Sequence, residues 1–311
     1  MRKINVKICA VVVTYNRKEL LINCLEAIKQ QSYKPHTVII VDNASTDGTE
    51  DIVRANGFYD SIVDGIRFQY LLLPNNQGGA GGFYNGMKTA YESEENFDGV
   101  WVMDDDGLPD ACQLERLLEY FPEYDYLAPL VLSVDNPSKL AFNYHGLFSP
   151  ETLKAQFKDI IDNYACPFNG ILYSRTLISK IGFPIPQLFI WGDERNYDQR
   201  AKDQGFIPHT VLSAIHYHPE DKMKVGKSIF GKSVILVPNK WKGYCNWRNT
   251  IFNAKGHFAF RQYISYYLYN SYYLLFIKKS WSWFVCFNRA YFSGFKRIPD
   301  DGYKKYMKNN T

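Results

Sequence analysis

No CxxC pair occurs in this sequence. Its six cysteines, Cys9, Cys24, Cys112, Cys166, Cys245 and Cys286, stand far apart. That spacing argues against a zinc or dithiol motif. It predicts buried free thiols in a reducing compartment, with Cys9 in an apolar run and Cys24 and Cys112 at core-like helix positions. Also lacking is an apolar stretch of the ~20 uncharged residues that a membrane span requires; the longest candidate, 263–277, is short and rich in tyrosine. Met1-Arg2-Lys3 runs straight into a strand pattern, which reads as a start without a secretory leader. There are no repeats and no low-complexity linker. Acidic residues are scarce in one place only. From Asp221 onward 3 Asp/Glu stand against 17 Lys/Arg, whereas the first 220 residues hold 29 against 19. This asymmetry predicts two surfaces with different partners, and the acidic first two thirds speak against nucleic-acid binding.

What is present is a chain of 311 residues, 46% apolar, enough for one large α/β domain and an appendage. Residues 8–13, 38–41 and 100–103 are continuous apolar runs that read as buried strands of a parallel sheet, and 68–73 reads as a further strand. Leu20, Leu21, Cys24, Leu25 and Ile28 recur at helical spacing. Residues 49–55 and 83–91 also read as helical, as does a stretch from Pro109 to about Tyr120. This alternation predicts a mostly parallel sheet with helices on both faces. The expected division is a catalytic domain over 1–220 and a helical, basic and aromatic segment over 221–311.

In such sheets ligands collect beyond the carboxyl ends of the strands, and each early strand ends in polar residues: Thr14-Tyr15-Asn16, Asp42-Asn43, Asn75-Asn76-Gln77 and Asp104-Asp105-Asp106. Three adjacent carboxylates repel one another unless a cation neutralises them. Aspartate oxygens suit Mg²⁺ or Mn²⁺, which can bridge two phosphates of a nucleotide sugar. The loop Thr14-Tyr15-Asn16-Arg17 holds no glycine, which argues against a nucleotidyltransferase phosphate loop.

Val12-Val13-Thr14-Tyr15-Asn16-Arg17, Val41-Asp42-Asn43-Ala44-Ser45-Thr46-Asp47 and the triple aspartate together resemble the family 2 glycosyltransferases of the GT-A fold, over residues 5 to 220. The stretch from Asn76 to Phe83 is most similar to galactofuranosyltransferases, with rhamnosyltransferases close behind. The resemblance implies an inverting, metal-dependent sugar transfer. Thr14, Tyr15 and Arg17 would border the nucleotide, Asp42 would accept a hydrogen bond from the base, and Asn76 and Gly79 would let the backbone approach the donor. A plain flexible turn is the other reading of that glycine stretch. Asp104 and Asp106 would hold the metal, and Asp105 would touch the donor sugar or ribose. In Trp191-Gly192-Asp193-Glu194, Glu194 falls on the position of the general base with Asp193 just before it, although many relatives have Asp where this chain has Glu194. Asp193 could instead simply cap a helix. His218 takes the place from which family members supply a metal-binding imidazole, with His216 as fallback. Weaker resemblances put Trp191 and Asn169 at the acceptor and Arg248 at an anionic acceptor or diphosphate. His36, His145, His209 and His257 read as surface or core residues.

The donor implied is UDP-galactofuranose, or else dTDP-rhamnose, and the acceptor a growing or polyprenyl-diphosphate-linked surface glycan. A non-catalytic carbohydrate-binding protein would leave the triple aspartate unexplained. The basic, aromatic C-terminal segment predicts peripheral attachment to an anionic membrane surface on the cytoplasmic side; a platform for homo-oligomerisation is the alternative.

Overall fold

The computed structural model describes residues 6–121, 123–144, 146–147, 149–220 and 223–307. Met1-Arg2-Lys3, His145 and the change of pattern at Asp221 and Lys222 lie outside them. The chain divides into two compact units: Met1–Pro184 with Tyr197–Asp221, and Ile185–Asn196 with Lys222–Thr311. The sequence placed its boundary at 220/221. The structure adds Ile185–Asn196 to the second unit, because side chains of that unit hold its backbone, as shown below.

The first unit is built on one sheet. In chain order its elements are β1 (Ile8–Thr14), α1 (Lys18–Lys29), β2 (Thr37–Asp42), α2 (Thr49–Ala55), β3 (Ser61–Val63), β4 (Ile66–Leu72), α3 (Gly78–Glu92), β5 (Gly99–Asp104), β6 (Leu108–Pro109), α4 (Gln113–Leu118), β7 (Tyr126–Ser133), α5 (Pro150–Gln156), β8 (Ile160–Asp162), β9 (Asn169–Ser174), α6 (Arg175–Ile181), α7 (Asp193–Asp203) and β10 (His209–His218). Helix α7 starts in the second unit and runs into the first. The strand order is β3-β4-β2-β1-β5-β9-β7-β10-β6, with β8 also on β10. Strands β4, β2, β1 and β5 are mutually parallel, and β7 is parallel to β10. Strand β9 runs antiparallel between β5 and β7.

The continuous apolar runs follow from burial on both faces. Along β1, Ile8, Ala10 and Val12 enter one core with Leu21, Cys24, Leu25 and Ile28 of α1. The alternate residues Cys9, Val11 and Val13 enter a second core with Phe83 and Met87 of α3. A strand wetted on one side would alternate apolar with polar; a strand between two layers cannot.

Two local readings are corrected. Pro109 does not open a helix: Leu108 and Pro109 pair antiparallel with Tyr217 and His216, and α4 begins only at Gln113. Proline suits this two-residue edge strand because it lacks the N–H that a central ladder would need. The glycine stretch is not a turn either, since α3 begins at Gly78. Its glycines serve close packing. A Cβ on Gly82 would lie 2.4 Å from Val13 Cγ1, and one on Gly86 2.4 Å from Val11 Cγ1.

The second unit contains β11 (Val225–Lys227), β12 (Ser233–Ile235), α8 (Lys240–Asn253), α9 (Phe260–Tyr272), a π-helical turn at Tyr273–Ile277, α10 (Trp281–Ser293) and α11 (Lys304–Met307). Its core is aromatic: Phe189, Tyr244, Trp247, Phe287, Tyr291 and Tyr303 pack with Ile251 and Leu274. The helical reading of this segment agrees with these elements. None of the described helices is long and apolar enough to cross a membrane. All six cysteines are free, and all but the half-buried Cys112 are buried.

Candidate active site

Strands β2, β1 and β5 end side by side. Thr14 is the register partner of Asp42, and Val13 that of Asp104. Parallel pairing therefore gathers at one edge polar residues that lie up to 90 positions apart in the sequence. The loops beyond are tied to each other: Asn16 Oδ1 accepts from Thr46 N at 2.7 Å, and Asn16 N donates to Ser45 Oγ at 2.9 Å. Asn16 and Ala44 both take positive φ there, 53° and 62°. Tyr15 is 43% exposed beside them.

The three aspartates have three environments. Asp105 points inward and is 2% exposed. Its carboxylate accepts from Thr14 Oγ1 at 2.7 Å and from Arg17 Nη1 at 3.2 Å. Burial pushes its pKa up to about 6 against the pull of these partners. This geometry makes Asp105 an anchor between β1 and β5, and the sugar or ribose contact read for it is not part of the geometry. Asp106 accepts from Arg17 Nη1 at 2.7 Å and faces His218 Nε2 at 3.2 Å. Asp104 carries the strain of the cluster: burial, then the Asp106 and Asp105 carboxylates, raise its pKa to about 8.

The contact of Asp106 with His218 tests the metal reading. Asp106 Oδ1 is buried and has no aligned hydrogen-bond donor. His218 Nδ1 lies 2.7 Å from the Pro219 carbonyl oxygen. Two states fit this contact: a neutral ring that donates to Pro219 and turns the Nε2 lone pair toward the carboxylate, which a cation would bridge, or an imidazolium that donates from Nε2 to Asp106. Against burial, the pairing with Asp106 and Pro219 raises the His218 pKa. Ligand atoms ~2.1 Å from one cation stand ~3 Å apart in adjacent positions, which matches the 3.2 Å observed. Asp106 and His218 are therefore spaced as two ligands of one divalent cation would be, and equally as a carboxylate and an imidazolium in direct contact. Among the described residues, however, no three His, Cys, Asp or Glu side chains form a complete site. Asp104 therefore does not join the pair as a preformed third ligand.

The fallback imidazole is corrected. His216 is fully buried, its Nδ1 is 2.9 Å from Gln113 Oε1, and a Cβ on Gly107 or Gly170 would strike its ring. Burial lowers its pKa to about 3. Gln113 Nε2 and Trp101 Nε1 both donate to the Gly170 carbonyl, so the ring belongs to a buried polar network. Neighbouring Asn169 is the register partner of Met103 at the tip of β5, and its buried Oδ1 has no partner.

The remaining donor-side residues are engaged internally. Asp42 is 1% exposed, accepts from Ser45 N at 2.8 Å and from the Tyr70 hydroxyl, and could receive a base only through its remaining lone pairs. Asn76 Oδ1 accepts from Gly78 N at 2.8 Å, closing the turn into α3. Gly79 lies in the first turn of that helix.

In the second unit, Trp191, Asp193 and Glu194 sit on a strained segment. Phe189, Trp191 and Gly192 all have positive φ, at 67°, 61° and 102°. Side chains of α8 hold this backbone. Asn249 Nδ2 donates to the carbonyls of Leu188, Ile190 and Trp191 at 2.9–3.0 Å, and Asn253 Nδ2 to that of Gly192 at 2.6 Å. Arg248 is corrected here. It is fully buried and donates to the carbonyls of Leu188 and Asp300 and to Asn249 Oδ1, so it supports the acidic segment and has no surface for an acceptor. Strain of this kind costs ~1–3 kcal/mol per residue and persists only where the surroundings impose it. Glu194 Oε2 accepts from Gly192 N at 3.0 Å, and Asp193 is 5% exposed. The sequence marks Trp247-Arg248-Asn249 as resembling a recurrent Arg-Asn pair but gives Asn249 no role, and Asn253 carries no signal in it.

Known proteins give an independent reading. The glycosyl transferase family 2 model matches residues 9–182. Galactofuranosyltransferase GlfT1 of Mycolicibacterium smegmatis is 32% identical over 223 residues, covering 68% of this chain and 70% of that protein. GlfT1 of Mycobacterium tuberculosis is 35% identical over 221 residues, covering 68% and 69%. Among solved structures, residues 1–349 of S. aureus TarS superpose with a TM-score of 0.53 at 15% identity, covering 94% of this chain and 73% of that one. The mannosyltransferase PcManGT from Pyrobaculum calidifontis, in complex with GDP-Man and Mn²⁺, gives 0.51 at 17%, covering 92% and 74%. These structures share the fold. With a parallel β4-β2-β1-β5 core and a triple aspartate at its edge, the chain belongs to the family 2 glycosyltransferases.

Proposed function

We propose that this enzyme transfers galactofuranose from UDP-galactofuranose to a growing or lipid-linked surface glycan by a single inverting displacement. The observation that carries the reading is the convergence of Asp106 and His218 at 3.2 Å beside Asp104 and Arg17 at the carboxyl edge of the parallel strands. The identity with the GlfT1 proteins supports the choice of sugar.

Asp106 and His218, with Asp104 nearby, would hold Mn²⁺ or Mg²⁺. A cation bound there would supply Lewis acidity toward the donor diphosphate. Arg17, fixed by Asp105 and Asp106, adds a positive charge at the same edge, and exposed Tyr15 offers a face for the base. Thr14 and Asp105 keep β1 and β5 in register beneath them. Glu194, or Asp193 beside it, takes the proton from the acceptor hydroxyl; Asn249, Asn253 and Arg248 hold the backbone that carries them. Trp191 and Asn169 line the acceptor. The basic C-terminal unit keeps the enzyme on the inner face of the cell membrane, where a lipid-linked acceptor resides.

The test is a donor screen that reads nucleoside diphosphate release with Mn²⁺ or Mg²⁺ present. UDP-galactofuranose is expected to turn over faster than dTDP-rhamnose. Preference for dTDP-rhamnose would reassign the sugar, and release from no donor would refute the reading.

A further inference from the structure

Helix α9 is apolar on both of its sides. Tyr263, Tyr266 and Tyr267 pack against the core of the second unit, and Asn270 is buried with them. On the other side Phe260, Ile264 and Leu268 are 79%, 44% and 58% exposed. The same four-residue spacing continues through Tyr272 to Phe276, whose rings lie 5.1 Å apart, and Phe276 is 63% exposed. In an unbroken α-helix such a row would rotate by ~40° at each step. The wider π turn at Tyr273–Ile277 offsets part of that drift and keeps the row together. A contiguous exposed apolar row marks an interaction surface.

The chemistry at its end selects the partner. Lys278 and Lys279 follow the row, then comes Trp281, 69% exposed. Lys278 Nζ stands 4.0 Å from the centre of the Trp283 ring. From residue 223 to 307 the only acids are Asp300 and Asp301, and these pair with Lys296 and Lys304. Among the described residues no carboxylate pairs with Arg261, Lys278 or Lys279. A second copy docked through this face would set basic side chains against basic side chains, whereas an anionic lipid surface complements them. Aromatic residues flanked by Lys and Arg suit the boundary between headgroups and acyl chains.

We propose that the row Phe260–Ile264–Leu268–Tyr272–Phe276, with Trp281, lies in the interface of an anionic bilayer, and that Arg261, Lys278 and Lys279 meet the lipid phosphates. This rests on the membrane reading above and assigns it to one face. The experiment is sedimentation of the full chain with vesicles of phosphatidylcholine alone or mixed with phosphatidylglycerol, at low and high NaCl. The protein is expected to pellet with the anionic vesicles, less so at high salt, and not with the neutral ones. The double variant Ile264→Glu/Leu268→Glu should lose roughly tenfold or more of this partitioning. Its melting temperature and its nucleoside diphosphate release with a soluble acceptor should match the parent, which separates this face from the proposed chemistry. A second variant, Lys278→Glu/Lys279→Glu, should lose the preference for anionic lipid. The proposal is overturned if the parent pellets with neither vesicle, if the row variant pellets like the parent, or if that variant abolishes a dimer in sedimentation velocity while lipid binding persists.

Discussion

The substitution Gly86→Ala sets two effects of opposite sign against each other. In a helix interior alanine is favoured over glycine by ~0.8–1 kcal/mol, so on propensity alone the change would stabilise α3. The structure reverses the sign. A Cβ at this position would stand 2.4 Å from Val11 Cγ1 and 2.8 Å from Val41 Cγ2, where carbon atoms in contact keep ~3.5–4.0 Å. Both valines are fully buried in β1 and β2, and their β-branched side chains have little rotamer freedom to yield. Helix α3 must therefore lift from the sheet by roughly the missing ångström, and overpacking of this kind costs ~1–3 kcal/mol or somewhat more. With two contacts this short the cost falls at the upper end of that range, and the balance is a net loss of ~1–2 kcal/mol; at ~2 cal/mol/K of unfolding entropy per residue, a chain of 311 residues loses ~1.5–3 °C in melting temperature. Thermal unfolding followed by far-UV circular dichroism, parent beside variant, measures it. An unchanged or higher melting temperature would show that α3 does not rest on β1 and β2 through its glycines, and would remove the account given for the glycine stretch.

Other substitutions probe the site and the second unit. Asp106→Asn removes the charge that meets Arg17 and His218; nucleoside diphosphate release should fall ~100-fold or more with little change in melting temperature, and near-normal turnover would take Asp106 out of the reaction. Asn249→Ala removes the two N–H donors shared among three carbonyls of a strained backbone and should lower stability by ~1–3 kcal/mol, with kcat falling more than donor affinity; unchanged kcat in the folded variant would detach the segment from catalysis. Burial works against the Asp300 carboxylate, but Lys296, Tyr244 and the Gly302 amide outweigh it and hold its pKa at about 2. Because that lies below the unfolded value of ~3.9, its stabilisation of ~1–2 kcal/mol is present above pH ~4 and lost as the pH falls toward ~2. The gap in denaturant midpoint between parent and Asp300→Asn should therefore narrow with acidification, and a gap that widens would contradict the assignment. Burial raises the thiols of Cys9, Cys166, Cys245 and Cys286, the last three to about 11, 12 and 12. In the native protein an aromatic disulfide reagent should titrate Cys112 first, with the rest reacting only after denaturation; several fast thiols would refute the burial.

Much of the first unit was legible along the chain because its signals are local. An apolar run marks β1 or β5 whatever it pairs with, since burial on both faces removes all alternation. Polar residues at strand ends mark the edge where a parallel sheet exposes its carboxyl termini. Helix α1 shows its four buried residues at one period, and the helical character of the last third is written in the same way. Where two local readings competed, tertiary contacts decided. The glycines after Asn76 suit a turn or a close-packed helix equally well, and only the proximity of Val11, Val13 and Val41 selects the helix. Pro109 suits a helix start or an edge strand, and β10 selects the strand.

The sequence by itself determined the α/β class, the triple aspartate at the tip of β5, the acidic pair after Trp191 and the basic, aromatic character of the end. Only the tertiary structure decided which of two histidines faces Asp106, that Asp105 turns inward to Thr14, and that Arg248 is buried with Asn249 beneath the acidic segment. The physical reason is distance along the chain. His218 lies 112 residues after Asp106 and Asn249 lies 55 after Glu194; residue type and spacing name the groups, but pairing across such gaps depends on the register of the strands within the first unit and on the packing of the helices within the second.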